Sequence, residues 1–297
     1  MGVLGGVGLP HAHPAPIRKR LRAVTNVAMM TPDSSTAPFE LTVVGGGNMG
    51  AALIGGLLDS GVVIASAIAV VEIVDARRAE LSVLFPSVSV RSHVPATRAA
   101  LLAVKPGDVA AAAREAAAAG ATRMLSIAAG VRLATIEAVV GPGVAVVRAM
   151  PNTPALVRLG ASAIAAGSAA DDDDVSWAES ILAAVGTVER MSEGDLDLFT
   201  GVAGSGPAYV FLVAEALTEA AVAEGMARPV AERVIRQLLL GSATLLDREG
   251  DPAMLRQRVT SPGGTTAAGL AVLDERGVRA AFGAAVRAAT QRSSELG

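Results

Sequence analysis

The chain has 297 residues, of which 52% are hydrophobic and 18% charged, and its formal net charge is -3. This composition excludes disorder of the whole chain, and an acidic balance with only 2% aromatic residues argues against a nucleic-acid partner. Cysteine is absent, which excludes disulfides, thiolate metal sites and cysteine nucleophiles. The chain has only three histidines, too few to make a zinc site or a histidine-based triad plausible, so we predict no metal centre.

Residues 1–38 have low complexity and carry a basic cluster at positions 18–22. They lack the order of charge, apolar core and small-residue cleavage site that defines a signal peptide. We expect a disordered extension or a true start at Met29 or Met30, with a transit peptide as the less favoured alternative. Apolar runs are broken by charges or glycines well before the length of about 20 residues that spans a bilayer. We therefore predict no membrane partner and a cytoplasmic location.

From Phe39 the pattern changes to strands alternating with helices. Strands are predicted at 39–44, 67–71, 88–91, 99–104, 124–128, 144–148 and 161–166. Helices are predicted between them at 49–60, 77–85, 107–119 and 133–139. This alternation is typical of an α/β domain whose parallel sheet is covered by helices on both faces.

After Pro151 the alternation weakens, and from about Glu193 the pattern is helical. Helices are predicted at 207–224, 229–248, 252–259 and 265–275, with a last one from 278. The acidic run at 171–174 indicates a helix N-terminus, where negative charge complements the helix dipole, rather than a metal site. We place a boundary near 190, between an α/β dinucleotide-binding domain at 39–190 and an all-helical domain at 191–297.

A glycine cluster with the sequence GGGNMG follows the first strand at 45–50. It fits the G-x-G-x-x-G pattern of dinucleotide-binding folds, and it lies where that pattern requires, between a strand and a helix. Gly45 permits the tight turn, Gly47 lets a pyrophosphate approach the backbone, and Gly50 lets the helix pack closely. The cofactor-binding residues predicted in this segment are Val44, Gly45, Gly47, Asn48, Met49 and Gly50.

The choice between the two nicotinamide dinucleotides depends on the end of the second strand. An acidic residue about 20 positions after the glycine loop binds a ribose diol and favours NAD, and Glu72 and Asp75 are the two candidates. Arg77 and Arg78 could pair with a 2′-phosphate and favour NADP, or lie on a solvated helix face. We expect Arg77 to contact the cofactor and NADPH to be preferred, with NADH as the alternative.

Three further loops follow predicted strands, at the sheet edge where ligands bind in such folds. Lys105 closes one strand and is a candidate for a phosphate or ribose contact. Small residues at 126–130 would let a flat ring approach the next strand end. Asn152 lies in a loop that two prolines make rigid, where it could bind the substrate or form an Asx-type turn. The predicted cofactor contacts in these loops are Ala103, Val104, Lys105, Pro106, Ser126 and Ala128.

A second glycine-rich loop, SPGGTT at 261–266, precedes a helix in the helical region. Glycines followed by helix-starting threonines leave several N–H groups unpaired, which makes an anion site suited to a small carboxylate. Threonine hydroxyls can reach a substrate nitrogen or oxygen, although an ordinary capped helix is the alternative. A similar loop, GSGPAY at 204–209, ends in Tyr209, the only tyrosine, for which core packing is favoured over an acid role.

Taken in order, five segments resemble the pyrroline-5-carboxylate reductase family. They are GGGNMG at 45–50, AVKP at 103–106, MPNTP at 150–154, GSGPAY at 204–209 and SPGGTT at 261–266. The resemblance runs from about Phe39 to the C-terminus. It implies a Rossmann domain followed by a helical dimerisation domain, in intertwined dimers that often assemble into decamers. It also implies reduction of 1-pyrroline-5-carboxylate to L-proline by NAD(P)H.

The resemblance further implies roles for individual residues. The backbone N–H groups of Gly264 and Thr265 would hold the substrate carboxylate, and the Thr266 hydroxyl would face the ring nitrogen as the catalytic group. The substrate-binding residues are then Ser261, Gly263, Gly264, Thr265, Thr266 and Asn152. Two departures stand out: Arg258 replaces an asparagine common in animal members, and the usual 2′-phosphate cluster after the second strand is not clearly present.

Two other functions compete with this interpretation. A hydroxyacid dehydrogenase of similar build would use a lysine in its helical domain, but no lysine follows Lys105. A dinucleotide sensor would need no second anion site, so the loop at 261–266 argues against it. Nucleotide binding without turnover would distinguish the sensor.

Overall fold

The computed structural model describes residues 39–297; the extension expected at 1–38 lies outside these residues. The strands are β1 (Phe39–Val44), β2 (Ile68–Val71), β3 (Ser89–Arg91), β4 (Thr97–Leu102), β5 (Arg123–Ser126), β6 (Ala145–Pro151), β7 (Gly160–Ala166) and β8 (Gly186–Arg190). The helices that accompany the sheet are α1 (Asn48–Ser60), α2 (Asp75–Leu84), α3 (Val109–Ala118), α4 (Leu133–Val140) and α5 (Asp172–Ala183).

After β8 every element in the described part of the chain is helical. These helices are α6 (Asp195–Phe199), α7 (Gly206–Ala223), α8 (Arg228–Glu249), α9 (Pro252–Arg258), α10 (Thr265–Glu275) and α11 (Val278–Leu296). The segment Thr200–Gly204 between α6 and α7 is a π-helix. The predicted fold class, an α/β Rossmann unit followed by an all-helical region, is confirmed.

The sheet has the strand order β3-β2-β1-β4-β5-β6-β7-β8, and the six strands from β3 to β6 are parallel. The chain order therefore reverses between β1 and β4, which is the position where dinucleotide-binding sheets open a crevice. Val44 at the end of β1 pairs with Val71 of β2 and with Leu102 of β4, and Leu102 pairs with Ser126 of β5. This register brings the loops after four strands to one edge.

The far side of the sheet differs from the prediction of a wholly parallel arrangement. Strand β7 runs antiparallel to β6, with Ala149 opposite Ile164, because only the short 3₁₀ turn Thr153–Val157 joins the two strands. A parallel connection would need a crossover of a dozen or more residues. Strand β8, parallel to β7, was not predicted from its sequence, GTVER, because its residues are largely exposed and lack an apolar pattern.

Side chains alternate between two apolar layers, one on each face of the sheet. On the first face, residues such as Leu41 and Leu101 pack with α1, α2 and α5. On the second face, residues such as Ala100 and Leu102 pack with α3, α4 and α6. The acidic run before α5 caps that helix, since the Asp171 carboxylate accepts from the N–H groups of Asp173 and Asp174. Both faces of the sheet are thus covered, as predicted.

A network of charged side chains joins the sheet to the helical region. Arg148, only 4% exposed on β6, donates to Glu193 Oε1 at 2.9 Å, and the same oxygen accepts from the N–H of Leu133 at 2.7 Å. Asp197 on α6, 6% exposed, accepts from Arg132 and from Ser293 of α11, each at 2.8 Å. These bonds fix α6 and α11 against the loops that precede α4.

We expect Asp197→Ala to destabilise the fold by about 3 kcal/mol, because it leaves the Arg132 guanidinium and the Ser293 hydroxyl without their shared acceptor. Urea unfolding at fixed protein concentration measures this change. Glu179→Ala removes the exposed pair with Arg190 and serves as the matched control, with an expected cost of less than about 1 kcal/mol. Equal losses in the two variants would contradict the role assigned to Asp197.

Candidate active site

Two glycines of the glycine loop have neighbouring backbone atoms too close for a side chain, and a third has free space beside it. Gly45 adopts a φ of +107°, and a Cβ there would lie 2.4 Å from the carbonyl oxygen of Ala103. A Cβ at Gly50 would lie 2.2 Å from the carbonyl oxygen of Gly45. A Cβ at Gly47, by contrast, would meet no atom of the described residues within 4 Å. Two glycines therefore serve the packing of the loop, and Gly47 borders open space.

The start of α1 fits an anionic ligand at this open position. Gly47 is the residue before the helix, and neither a capping side chain nor an acidic residue lies in the first turn. The first N–H groups of a helix have no partner within the helix, and they attract negative charge. Phosphate oxygens match such a cradle, so the residues present are compatible with a dinucleotide pyrophosphate.

Neighbouring strand ends extend the cradle along the sheet edge. The N–H of Ala103 donates to Val44 at 2.8 Å, and the N–H of Ile127 donates to Leu102 at 3.1 Å. Ser126 is fully buried at the end of β5, and its hydroxyl has no hydrogen-bond partner within residues 39–297. Lys105 and the adjacent Pro106 are exposed. The register thus brings together the predicted cofactor segments at 44–50, 103–106 and 126–128.

Some predicted cofactor residues can offer only backbone groups. The side chains of Val44 and Ala128 are buried in the apolar layer that faces α3 and α4. Arg77 on α2 does reach the glycine loop, because its Nε donates to the carbonyl oxygen of Gly46 at 2.7 Å, while its Nη1 pairs with Glu80. Arg77 therefore lies at the predicted position and is bonded to the loop itself.

The side chain of Asn152, predicted to bind substrate, is bonded at both polar atoms. Its Oδ1 accepts from the N–H of Ala161 at 2.9 Å, and its Nδ2 donates to the carbonyl oxygen of Ala203 at 3.0 Å. Ala203 belongs to the π-helix, so Asn152 ties the end of β6 to the segment that joins α6 and α7. In a single chain its amide performs a positioning role.

The π-helix was not predicted from the sequence. The N–H of Ser205 donates to the carbonyl oxygen of Thr200 at 2.8 Å, one residue further than in an α-helix. The Tyr209 hydroxyl donates to the carbonyl oxygen of Gly201 at 3.3 Å, but the residue is only partly buried, so in a single chain it does not have the core-packing role favoured for it. A Cβ at Gly201 would lie 2.3 Å from Oγ1 of Thr290 on α11. The three glycines within residues 201–206 are the sequence signal that could have predicted this close approach between the π-helix and α11.

The loop before α10 is the second glycine-rich segment that was predicted to bind a ligand. Gly263 has a φ of +69°, the N–H of Gly264 donates to Ser261 at 3.1 Å, and α10 then begins without a capping side chain. Thr265 and Thr266 are both exposed. The hydrogen bonds recorded for this loop stay within 256–268, so within a single chain none of them reaches the glycine loop.

The helices that carry this loop expose a large apolar surface. No residue of α7, α9 or α10 is buried in the single chain, and Phe211 on α7 is 66% exposed. The other exposed apolar residues on α7 and α8 are Val210, Leu212, Leu217, Val230, Val234, Leu238, Leu240, Leu245 and Leu246. Within the described residues, the run Asp195–Ala223 is also long and apolar enough to span a bilayer by length and composition alone. Surfaces of this size on a globular protein mark an interaction site.

Two protein-family models match separate parts of the chain. Residues 193–296 match the model for pyrroline-5-carboxylate reductase dimerisation. Residues 40–130 match the model described as NADP oxidoreductase, coenzyme F420-dependent. The first match covers the exposed helices and the second covers the glycine loop.

Curated relatives decide the family. A pyrroline-5-carboxylate reductase from Synechocystis is 42% identical over 265 residues, which cover 87% of this chain and 98% of the relative. The chain belongs to the pyrroline-5-carboxylate reductase family. A second member, from Pseudomonas aeruginosa, is 40% identical over 264 residues, which cover 86% of this chain and 96% of the relative. The predicted family and its class, NAD(P)H-dependent oxidoreductases, are thereby confirmed.

Solved structures of the family have the same fold. A pyrroline-5-carboxylate reductase from Coxiella burnetii is 35% identical, with a TM-score of 0.81 over 87% of this chain and 98% of its own. The Plasmodium falciparum reductase, solved with NADP bound, is 25% identical, with a TM-score of 0.76 over 89% of this chain and 100% of its own. Self-association through the helical region and use of a nicotinamide cofactor are therefore properties of this family member.

The glycine loop offers a matched pair of substitutions. Gly47→Ala should leave the fold intact and weaken dinucleotide binding about tenfold or more, because its Cβ enters open space next to the uncapped N–H groups. Gly50→Ala should instead lower thermal stability by about 1–3 kcal/mol, because its Cβ meets the carbonyl oxygen of Gly45. Calorimetric titration with a dinucleotide and thermal unfolding separate the two effects. The assignment fails if Gly47→Ala binds as the parent does.

Proposed function

We propose that this chain reduces the C=N bond of 1-pyrroline-5-carboxylate to give L-proline, the last step of proline biosynthesis, in the cytoplasm. The observation that carries the proposal is a pair of uncapped helix starts, one bordering open space at Gly47 and the other leading into the exposed Thr265 and Thr266. The first suits a dinucleotide pyrophosphate and the second a small carboxylate. One chain of this family therefore holds a place for each reactant.

The cofactor half of the site follows from the sheet edge. Backbone groups of Gly47 to Gly50 would hold the pyrophosphate, and Lys105 would contact a phosphate or ribose. The small residues at 126–128 leave room for the nicotinamide ring, which supplies the hydride when the cofactor is bound. NADPH and NADH fit equally at these positions, since they differ only at the adenosine ribose.

The substrate half follows from the loop before α10. The N–H groups of Gly264 and Thr265 would bind the carboxylate, with the loop shape set by Ser261 and Gly263. The Thr266 hydroxyl would donate a hydrogen bond to the ring nitrogen and stabilise it as C5 accepts hydride. No histidine follows His93 in the sequence, so the proton on the nitrogen would come from solvent.

The two halves would meet between two copies of the chain. Each chain exposes both its loop at 261–266 and the apolar faces of α7 and α8, so a second copy can cover the helices and bring its loop to the glycine cradle. Reactants held this way are aligned and shielded from water. In this arrangement residues 39–190 bind the dinucleotide and 191–297 bind the substrate and the partner. The dimer is the minimal unit, and a decamer is the larger assembly.

Enzyme assay tests the reaction directly. We expect purified protein to consume reduced nicotinamide in the presence of 1-pyrroline-5-carboxylate and to form L-proline in equal amount. Parallel assays with NADPH and NADH measure the preference. Dinucleotide binding without turnover would support the sensor and overturn this proposal.

Thr266→Ala should lower kcat about tenfold with little change in dinucleotide affinity, because one hydrogen bond to the reacting nitrogen is lost. Thr266→Ser keeps a hydroxyl and should restore most of the rate. Thr260→Ala is the control, since its hydroxyl is already bonded to the carbonyl oxygen of Arg256 at 2.6 Å. An unchanged rate in Thr266→Ala would remove this threonine from the mechanism.

Phe211→Asp should reduce the oligomer to a single chain of 29.7 kDa, because it places a charge in the apolar surface of α7. Val83→Asp is the matched control, since Val83 is 84% exposed on α2, in the α/β part of the chain. Light scattering coupled to size-exclusion chromatography gives the mass of each variant. A dimer lost in Val83→Asp and kept in Phe211→Asp would place the interface elsewhere.

A further inference from the structure

The end of β2 carries a carboxylate that is bonded to the glycine loop. Glu72 follows the last residue of β2, and its Oε2 accepts from the N–H of Gly46 at 3.2 Å. Its other oxygen, Oε1, accepts from the N–H of Val74 at 3.0 Å. These two bonds hold the carboxylate in one orientation beside the glycine loop. Asp75, the other acid that the spacing allowed, is instead paired with Arg78 at the start of α2.

The bonded carboxylate still has acceptor capacity. An ionised carboxylate offers about four lone-pair positions, and two backbone N–H groups use one on each oxygen. One position on each oxygen remains, which matches the two vicinal hydroxyls of a ribose. A 2′-phosphate would bring about two negative charges to the same place and offers no proton that could reliably bond Glu72.

The arginines expected to bind a 2′-phosphate are engaged elsewhere. Arg77 donates to the carbonyl oxygen of Gly46 and to Glu80, and Arg78 donates to the carbonyl oxygen of Glu72 and to Asp75. The segment therefore holds three carboxylates, those of Glu72, Asp75 and Glu80, and only two guanidiniums, so it carries no net positive charge. The residue directly after Glu72 is Ile73, which is 81% exposed and brings no positive charge.

We propose that Glu72 makes this chain select NADH over NADPH, by accepting from the adenosine ribose hydroxyls and repelling a 2′-phosphate. This inference rests on the dinucleotide site proposed above. It departs from the NADPH preference expected from Arg77 and Arg78, because Arg77 is bonded to the glycine loop and to Glu80, and Arg78 is bonded within α2 and its preceding loop.

Binding measurements test the proposal without the imine substrate. Calorimetric titration of the intact oligomer with NADH and NADPH should give an NADH Kd at least about tenfold lower. Glu72→Gln keeps an oxygen for one backbone N–H but removes the charge, so NADPH should bind about tenfold more tightly and NADH a few-fold more weakly. Asp172→Asn, at the exposed start of α5, is the control with the same change of charge, and its ratio of the two Kd values should stay within about twofold of the parent.

A second substitution covers the case in which Glu72→Gln does not fold. Ile73→Arg leaves the carboxylate in place and adds a guanidinium beside the ribose, so it should strengthen NADPH binding about tenfold and leave NADH binding unchanged. Tighter NADPH binding by the parent would overturn the proposal. So would a shift of the ratio in Asp172→Asn alone, or failure of both dinucleotides to bind.

The experiments distinguish failure of the proposed reaction from failure of the proposed role of Glu72. A protein that binds NADH selectively but forms no L-proline refutes the proposed reaction and keeps the role of Glu72. A protein that forms L-proline faster with NADPH and binds it more tightly keeps the reaction and refutes that role.

Discussion

The close approach of the loops after β1 and β4 is the constraint on which the cofactor half of the site depends. Val44 and Leu102 are paired in register, and the next residues, Gly45 and Ala103, come so near that a Cβ on the glycine would lie 2.4 Å from the Ala103 carbonyl oxygen. Only glycine accepts both this contact and the positive φ. The turn then aims the start of α1 at the crevice, and the neighbouring strand ends follow from the parallel register.

The substrate half depends on a different kind of contact. Charged groups join the sheet to α6 and α11, through Arg148 with Glu193 and through Arg132 with Asp197, and removing one partner from such a pair costs far more than an exposed pair does. The remaining helices bury little within a single chain, and their apolar faces stay exposed until a second copy covers them. The proposed site therefore combines two parts of different origin: a nucleotide cradle formed within one sheet, and a loop, proposed to bind the carboxylate, that is carried by helices with exposed apolar faces.

The sequence pattern was sufficient to predict most helices and strands, because each of them depends on residues only a few positions apart. The helix α1 spans Asn48–Ser60, within one residue of its predicted range, and the alternating apolar runs placed β1 to β7 within a few residues. Strand β8 and the π-helix were missed because neither depends on an apolar period. The first is an exposed edge strand, and the second arises where Gly201 packs against Thr290 and the carbonyl oxygens of Gly201 and Ala203 accept side-chain donors.

By itself, the sequence determined the α/β-then-helical organisation, the family and both glycine-rich loops, because turn glycines, helix starts and apolar periods act over a few residues. The tertiary structure decided which polar groups are already occupied. It showed Asn152 bonded at both ends, Arg77 bonded to the glycine loop, and Glu72 fixed at the end of β2. Spacing along a chain identifies the residues that are candidates for binding a ligand. Only the three-dimensional arrangement shows which of their donors and acceptors the protein itself uses, because partners such as Gly46 and Ala203 lie more than 20 residues away in sequence.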